Sequence, residues 1–220
     1  MIINFAALNF LTKIILQYIM DSKEILYHGT CRLFKEFSLS HLGEGEGHSK
    51  FGHGIYITSS YKTAALYASK AAKACGEECC YVYTVEVPAL TADNHIFSCK
   101  AVNPAVAQRV EQALGETIPD EAKELGKYFR KYVGNLLTGE RKTLRQRISS
   151  ASPAAEDAVA EFLKGVGVVF LAWPYSQTNP EGETNRAVLD EGNVKIVKIE
   201  QVEVDAKNKL IEGSQKEITL

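Results

Sequence analysis

The chain lacks a dominant charge, a long apolar run and a paired cysteine framework. Lys and Arg number 25 against 27 Asp and Glu, a formal net charge of -2. No global field therefore draws it to nucleic acid or an anionic membrane, and any such partner has to be met by a local patch. Its five cysteines, Cys31, Cys75, Cys79, Cys80 and Cys99, are an odd number without framework spacing, which favours a reducing compartment. They form no second cluster at zinc-ribbon spacing, and His53 and His95 add no ligand pattern, so no metal is expected. Internal repeats and low-complexity tracts are absent as well. Hydrophobic residues at 45% and charged residues at 24% match folded globular proteins; disorder, collagen-like and coiled-coil architectures fit poorly. At 220 residues the chain supports one sizeable domain, or one domain with a small insertion.

The amino terminus differs from the rest. Fifteen of the first twenty residues are apolar, yet Asn4, Asn9, Thr12, Lys13 and Gln17 interrupt them so that no apolar run exceeds four. A membrane span needs ~20 mostly apolar residues in succession, and a secretory leader needs a basic head and a small-residue cleavage site. Neither pattern is present in residues 1–22. Two readings stay open for this extension: a packed helix, or a translated upstream stretch with Met20 as the true start.

From Lys23 the pattern becomes that of a mixed domain, expected over 23–205 with a tail at 206–220. Glu24 to Tyr27 reads as a strand running into His28-Gly29-Thr30, followed by a loop rich in Gly, Ser and charge from Phe37 to His53. Ile55 to Thr58 is a second strand. Ser59 or Ser60 caps a helix whose inward face is expected at Ala64, Tyr67, Ala68 and Ala71. Tyr81 to Val87 is a strand closed by Pro88. A helical insert at about 103–150 starts with an Asn103-Pro104 cap and carries one apolar stripe of Ala122, Leu125, Phe129, Tyr132, Val133 and Leu136. Ser152-Pro153 opens another helix, ended by Gly165. Strands return at Val168 to Trp173, Thr184 to Leu189 and Val194 to Val204, with a polar loop at Tyr175 to Gly182.

Several residues in this order bear on chemistry. Tyr27-His28-Gly29-Thr30 sets a histidine at a strand end beside a glycine whose backbone a flat ligand can approach. Tyr56, in Gly52-His53-Gly54-Ile55-Tyr56-Ile57-Thr58, and Tyr67 eleven residues later supply two aromatic faces suited to clamping a planar ring. Taken singly, each is more often a core residue. Arg141, Lys142, Arg145 and Arg147 form the one basic cluster, which reads first as a solvated helix face.

The ordered set YHGT, Gly-rich loop, GHGIYIT and a helix with LYA resembles the ADP-ribosyltransferase superfamily of the poly(ADP-ribose) polymerase type. The likeness is greatest to domains of phage-type polyvalent proteins and bacterial effectors. It extends from Glu24 to Glu200 and includes the helical insert, the EFLKGVGVVFL stretch and the closing NRAVLDEGNVKIV. The resemblance implies an α+β fold with a split, mostly antiparallel β-core and a helical insertion. It implies NAD as substrate, His28 on a ribose hydroxyl, Gly29 on the nicotinamide carboxamide through its backbone, and Thr30 as a supporting neighbour. Tyr56 would stand against the nicotinamide and its ribose, with Tyr67 on the ring's other face.

The third motif departs from the family. Asn185 stands where chain-elongating polymerases carry glutamate, which weakens a polymer-forming reading. Glu183 lies two residues earlier, and strand alternation puts Glu183, Asn185 and Ala187 on one side. Glu183 is then the candidate for the carboxylate role and Asn185 for the ribose hydrogen bond. The expected activity is mono-ADP-ribosylation of a macromolecular acceptor, a protein before a nucleic acid, in the cytoplasm or inside a host cell as a delivered effector. An NAD- or ADP-ribose-binding pseudoenzyme and an NAD glycohydrolase are the alternatives. A tRNA 2′-phosphotransferase shares the fold but calls for a more basic pocket.

Overall fold

The computed structural model describes residues 22–41, 51–139 and 143–220. The amino-terminal extension through Asp21, most of the Gly-rich loop, and Arg141 and Lys142 of the basic cluster lie outside them. The architecture is α+β, an eight-stranded sheet in the order β4-β5-β6-β2-β1-β3-β7-β8. Its strands are β1 (Lys23–Thr30), β2 (Ile55–Thr58), β3 (Cys80–Pro88), β4 (His95–Phe97), β5 (Phe170–Ser176), β6 (Asn179–Val188), β7 (Lys195–Val202) and β8 (Lys216–Glu217). All neighbours are antiparallel except β4 and β5. The helices are α1 (Tyr61–Cys75), α2 (Pro104–Leu114), α3 (Asp120–Lys123), α4 (Gly126–Leu137), α5 (Leu144–Ser149) and α6 (Pro153–Gly165).

β1 and β3 pair over eight successive positions from Lys23↔Pro88 to Thr30↔Tyr81, whereas β1 and β2 meet in register only at Tyr27↔Thr58. The sheet is therefore continuous but almost divided between β1 and β2. The YHGT tetrad lies inside β1, not beyond its end.

The helix ends follow their capping residues. Ser60 accepts from the Thr63 N–H at α1, Asn103 from Ala105 at α2 and Ser152 from Ala155 at α6, each satisfying a donor that the first turn leaves unpaired. The α1 face differs from the expected stripe. Ala64, Ala65, Ala68 and Ala72 are buried, Ala71 is half-buried, and Tyr67 is 37% exposed. Small residues let α1 lie close on β1 and β3, which turns Tyr67 outward. The expected stripe from Ala122 to Leu136 breaks into α3 and α4 at Gly126. The strands around the Tyr175–Gly182 loop also extend into it, leaving a hairpin with a Gln177-Thr178 turn.

Three apolar clusters form the core. One joins the insert and α6 to β4, β5 and β6 through Phe129, Val133, Val159, Leu163 and Leu171. A second fills the other face of the sheet around Tyr83, Val85, Phe170 and Val188. The third is the alanine seam of α1 on Val82, Cys80 and Cys31. After Val204, β8 returns to pair with β7. The five cysteines are unpaired.

Candidate functional site

The near-division between β1 and β2 locates the candidate site. β2 pairs with β6 at Tyr56↔Ala187 and Thr58↔Asn185, and β5 pairs with β6 at Trp173↔Asn185. Alternation then puts Tyr56, Thr58, Trp173, Asn185 and Ala187 on one face. Helix α1 stands beside that face and presents Tyr67 to it. Residues distant in sequence thus converge between α1, the β5–β6 hairpin and the end of β2.

Asn185 is 3% exposed. Its amide engages the Tyr67 hydroxyl, while its Oδ1 is buried with no hydrogen-bond partner among the described residues. Burial raises the Tyr67 phenol above its ordinary pKa, Tyr175 and Glu183 nearby add to the rise, and the Asn185 amide opposes it. Tyr67 thus remains a neutral phenol at physiological pH. Glu183 is exposed, and its Oε2 accepts from the Thr63 hydroxyl at 2.7 Å. That bond crosses from β6 to the first turn of α1, where the helix N-terminus also favours an anion. Glu183 and Asn185 do share one side, as alternation requires. Tyr175, 44% exposed, is the other aromatic at the opening. Thr184 completes the junction: its N–H donates to Ser59 Oγ and its carbonyl accepts from the Ser59 N–H, both at 2.9 Å.

His28 borders the splay, with its ring on the sheet face of Phe34, Phe37 and Tyr83, opposite Tyr56 and Asn185. Its Nδ1 lies 2.7 Å from the Tyr56 carbonyl oxygen, and because that oxygen only accepts, Nδ1 carries the proton. The remaining nitrogen, Nε2, is the acceptor of a neutral ring. Burial lowers the His28 pKa, only partly offset by the Tyr56 bond. Phe37, Phe34 and Tyr83 surround the ring, with centroids 5.1, 6.2 and 6.2 Å away. Gly29 has a packing reason of its own: a Cβ there would lie 1.8 Å from the Ala64 carbonyl oxygen. Thr30 accepts from the Arg32 N–H at 3.2 Å and holds the turn after β1.

Tyr56 is held from behind. Its hydroxyl donates to the Gly52 carbonyl at 3.1 Å and accepts from the Phe51 N–H at 3.0 Å. Trp173 meets it edge-on, with ring centroids 5.7 Å apart. Burial raises its pKa, opposed by the Phe51 bond and by Arg130.

Sequence reasoning passed over Thr63, Phe51, Trp173 and the buried Arg130–Glu156 pair. Arg and Glu are surface residues by default, so no pattern singled out that pair. Arg186 was also missed. It faces away from Asn185, and its Nη2 binds Glu24 of β1 at 2.7 Å, a charged link across the same division. No group of three or more His, Cys, Asp or Glu suited to a metal occurs among the described residues. Nor, among them, is any helix long and apolar enough to cross a membrane. Comparison with protein-family models, curated proteins and solved structures yields no match.

Proposed function

We propose that this groove binds NAD and transfers its ADP-ribose to a macromolecular acceptor with release of nicotinamide, in the manner of the ADP-ribosyltransferases that the sequence resembles. The observation that carries the reading is the convergence of Tyr56, Tyr67, Glu183 and Asn185 beside the β1–β2 division, where His28 sits. They come from three separate segments, β2, α1 and β6, and only the Glu183–Asn185 pair was joined by its spacing.

In this reading Tyr56 and Tyr67 flank the nicotinamide ring, a contact contributing about 0.5–1.5 kcal/mol per ring beyond burial. Neutral His28 accepts a ribose O–H at Nε2, and the unpartnered Asn185 Oδ1 accepts another. The bond between the ribose anomeric carbon and nicotinamide breaks through an oxocarbenium-like state. A carboxylate placed near that developing charge is worth more to the transition state than to bound NAD. Glu183 supplies it, oriented by Thr63. The acceptor's lone pair then bonds to the anomeric carbon and its proton passes to Glu183, while nicotinamide leaves with the electrons of the broken bond.

A second reading, an NAD- or ADP-ribose-binding module without turnover, is favoured by the amide at position 185 and by the commitment of one Glu183 oxygen to Thr63. The test is incubation of the protein with adenylate-labelled NAD and a lysate, with nicotinamide release measured in parallel and NAD affinity measured by calorimetry. Label on macromolecules supports transfer. Binding without nicotinamide release supports the module, and release without transferred label supports a glycohydrolase. No binding, or parent-like affinity in a folded His28→Ala variant, overturns the pocket.

A further inference from the structure

Three planar groups from three separate segments stand in a row behind the Tyr56 wall. The Arg130 guanidinium of α4 lies 4.6 Å from the Phe51 ring centroid. Phe51 stacks on Trp173 of β5 at 4.2 Å with 27° between planes, and Trp173 meets Tyr56 of β2 at 5.7 Å. The Phe51–Gly52 backbone closes the row by gripping the Tyr56 hydroxyl from both sides. Glu156 of α6 serves this unit twice. Its carboxylate pairs with Arg130, and its carbonyl oxygen would lie 2.2 Å from a Cβ at residue 52, which has φ +75° and so is held by glycine.

We infer that Arg130 is a positioning residue: from inside the helical insert, its guanidinium fixes the Tyr56 wall of the groove through the ring of Phe51. For its effect on NAD the inference rests on the reading of Tyr56 as part of the NAD site; for its effect on the wall it does not.

The chemistry of the buried pair supports this role. Arg130 is 4% exposed, and burial pulls its pKa down to about 10. A charged pair in such a place is seldom the most stabilising choice, since apolar residues of similar volume fill the space without desolvation. A flat cation does what an aliphatic side chain does not: it favours one orientation of the ring beneath it. The ring it orients belongs to Phe51, whose N–H holds the Tyr56 hydroxyl. The residue that grips the wall is thereby itself held in place from the insert. Asp157 and His53 face one another at 3.5 Å on the outer side of the same junction.

The test uses the full chain and three variants: Arg130→Lys, Arg130→Met with Glu156→Leu, and Phe51→Leu. Circular dichroism and thermal melting report the fold. Acrylamide quenching of Trp173, the chain's single tryptophan, reports the wall, and calorimetry reports NAD binding. The double variant leaves no buried charge without a partner, so it should melt at or above the parent temperature. It should nevertheless show a more accessible Trp173 and NAD affinity lower by about 5- to 30-fold. Arg130→Lys keeps the charge but not the planar guanidinium and should show a weaker form of the same split. Parent-like Trp173 quenching in the folded double variant overturns the inference. If the double variant does not fold, Phe51→Leu decides by NAD affinity, and a parent-like value there overturns it. Failure of the parent itself to bind NAD removes the NAD reading, and Trp173 quenching in the double variant then decides the inference alone.

Discussion

Helix α1 meets its part of the sheet through alanines, whereas the insert and α6 meet β4, β5 and β6 through Phe129, Val133, Val159 and Leu163. The contrast explains how the two halves treat the groove between them. Alanine packing brings the α1 backbone onto Gly29 and leaves neither side room to move, so Tyr67 stands on a rigid wall. The insert packs through large, interlocking side chains, and its influence on the groove passes through the row from Arg130 to Tyr56. Between the halves, the sheet offers one register pair of β1 and β2. Side chains do the rest: Thr63 with Glu183, Glu24 with Arg186 and His28 with the Tyr56 carbonyl. A cleft held by side chains adapts to a ligand more readily than one closed by a backbone ladder.

The comparison can be broken on the insert side first. Phe129 is fully buried, and Phe129→Ala should cost about 3–5 kcal/mol, measured by urea unfolding. A loss below ~1 kcal/mol would mean that the insert is not packed as a core.

Next comes the groove itself. Glu183→Gln preserves size and removes charge, so transfer should fall by about 10²-fold or more with NAD affinity retained. Asn185→Ala should cost less and act mainly on affinity. Labelled-NAD transfer that is as fast in Glu183→Gln as in the parent would place the carboxylate role elsewhere.

On the α1 side, Gly29→Ala forces a methyl group toward the Ala64 carbonyl, and the displacement should cost about 1–3 kcal/mol. Because α1 moves as a unit, Tyr67 should move with it, and calorimetry should register weaker NAD binding. A melt unchanged from the parent would show that α1 yields easily, contrary to the alanine seam.

The gentlest perturbation is pH. His28 and His95 both have pKa values lowered by burial from the ordinary 6.5. The unfolded chain therefore binds more protons as pH falls below about 6.5, and stability is lost from there downward toward the lowered folded values. His28→Gln should flatten that slope in melts taken between about pH 7.5 and 5. An identical slope in the variant would locate the dependence outside the β1–β2 division.

Local sequence determined a good deal of this protein. Ser60, Asn103 and Ser152 cap the helices that follow them, alternation puts Glu183 and Asn185 on one side, and β2 occupies Ile55–Thr58 as its β-branched and aromatic residues suggest. These features depend on a residue and its near neighbours, through hydrogen bonds within a turn or the two-residue period of a strand. Tertiary structure decided the rest. That Tyr67 faces the groove instead of the core depends on how closely alanines admit the sheet. Thr63 becomes the Glu183 partner only because β6 returns beside α1, 120 residues later. The burial of Arg130 and Glu156 follows from two helices meeting over Phe51, and no short-range pattern encodes it, because a charged side chain looks alike in sequence whether water or a partner neutralises it.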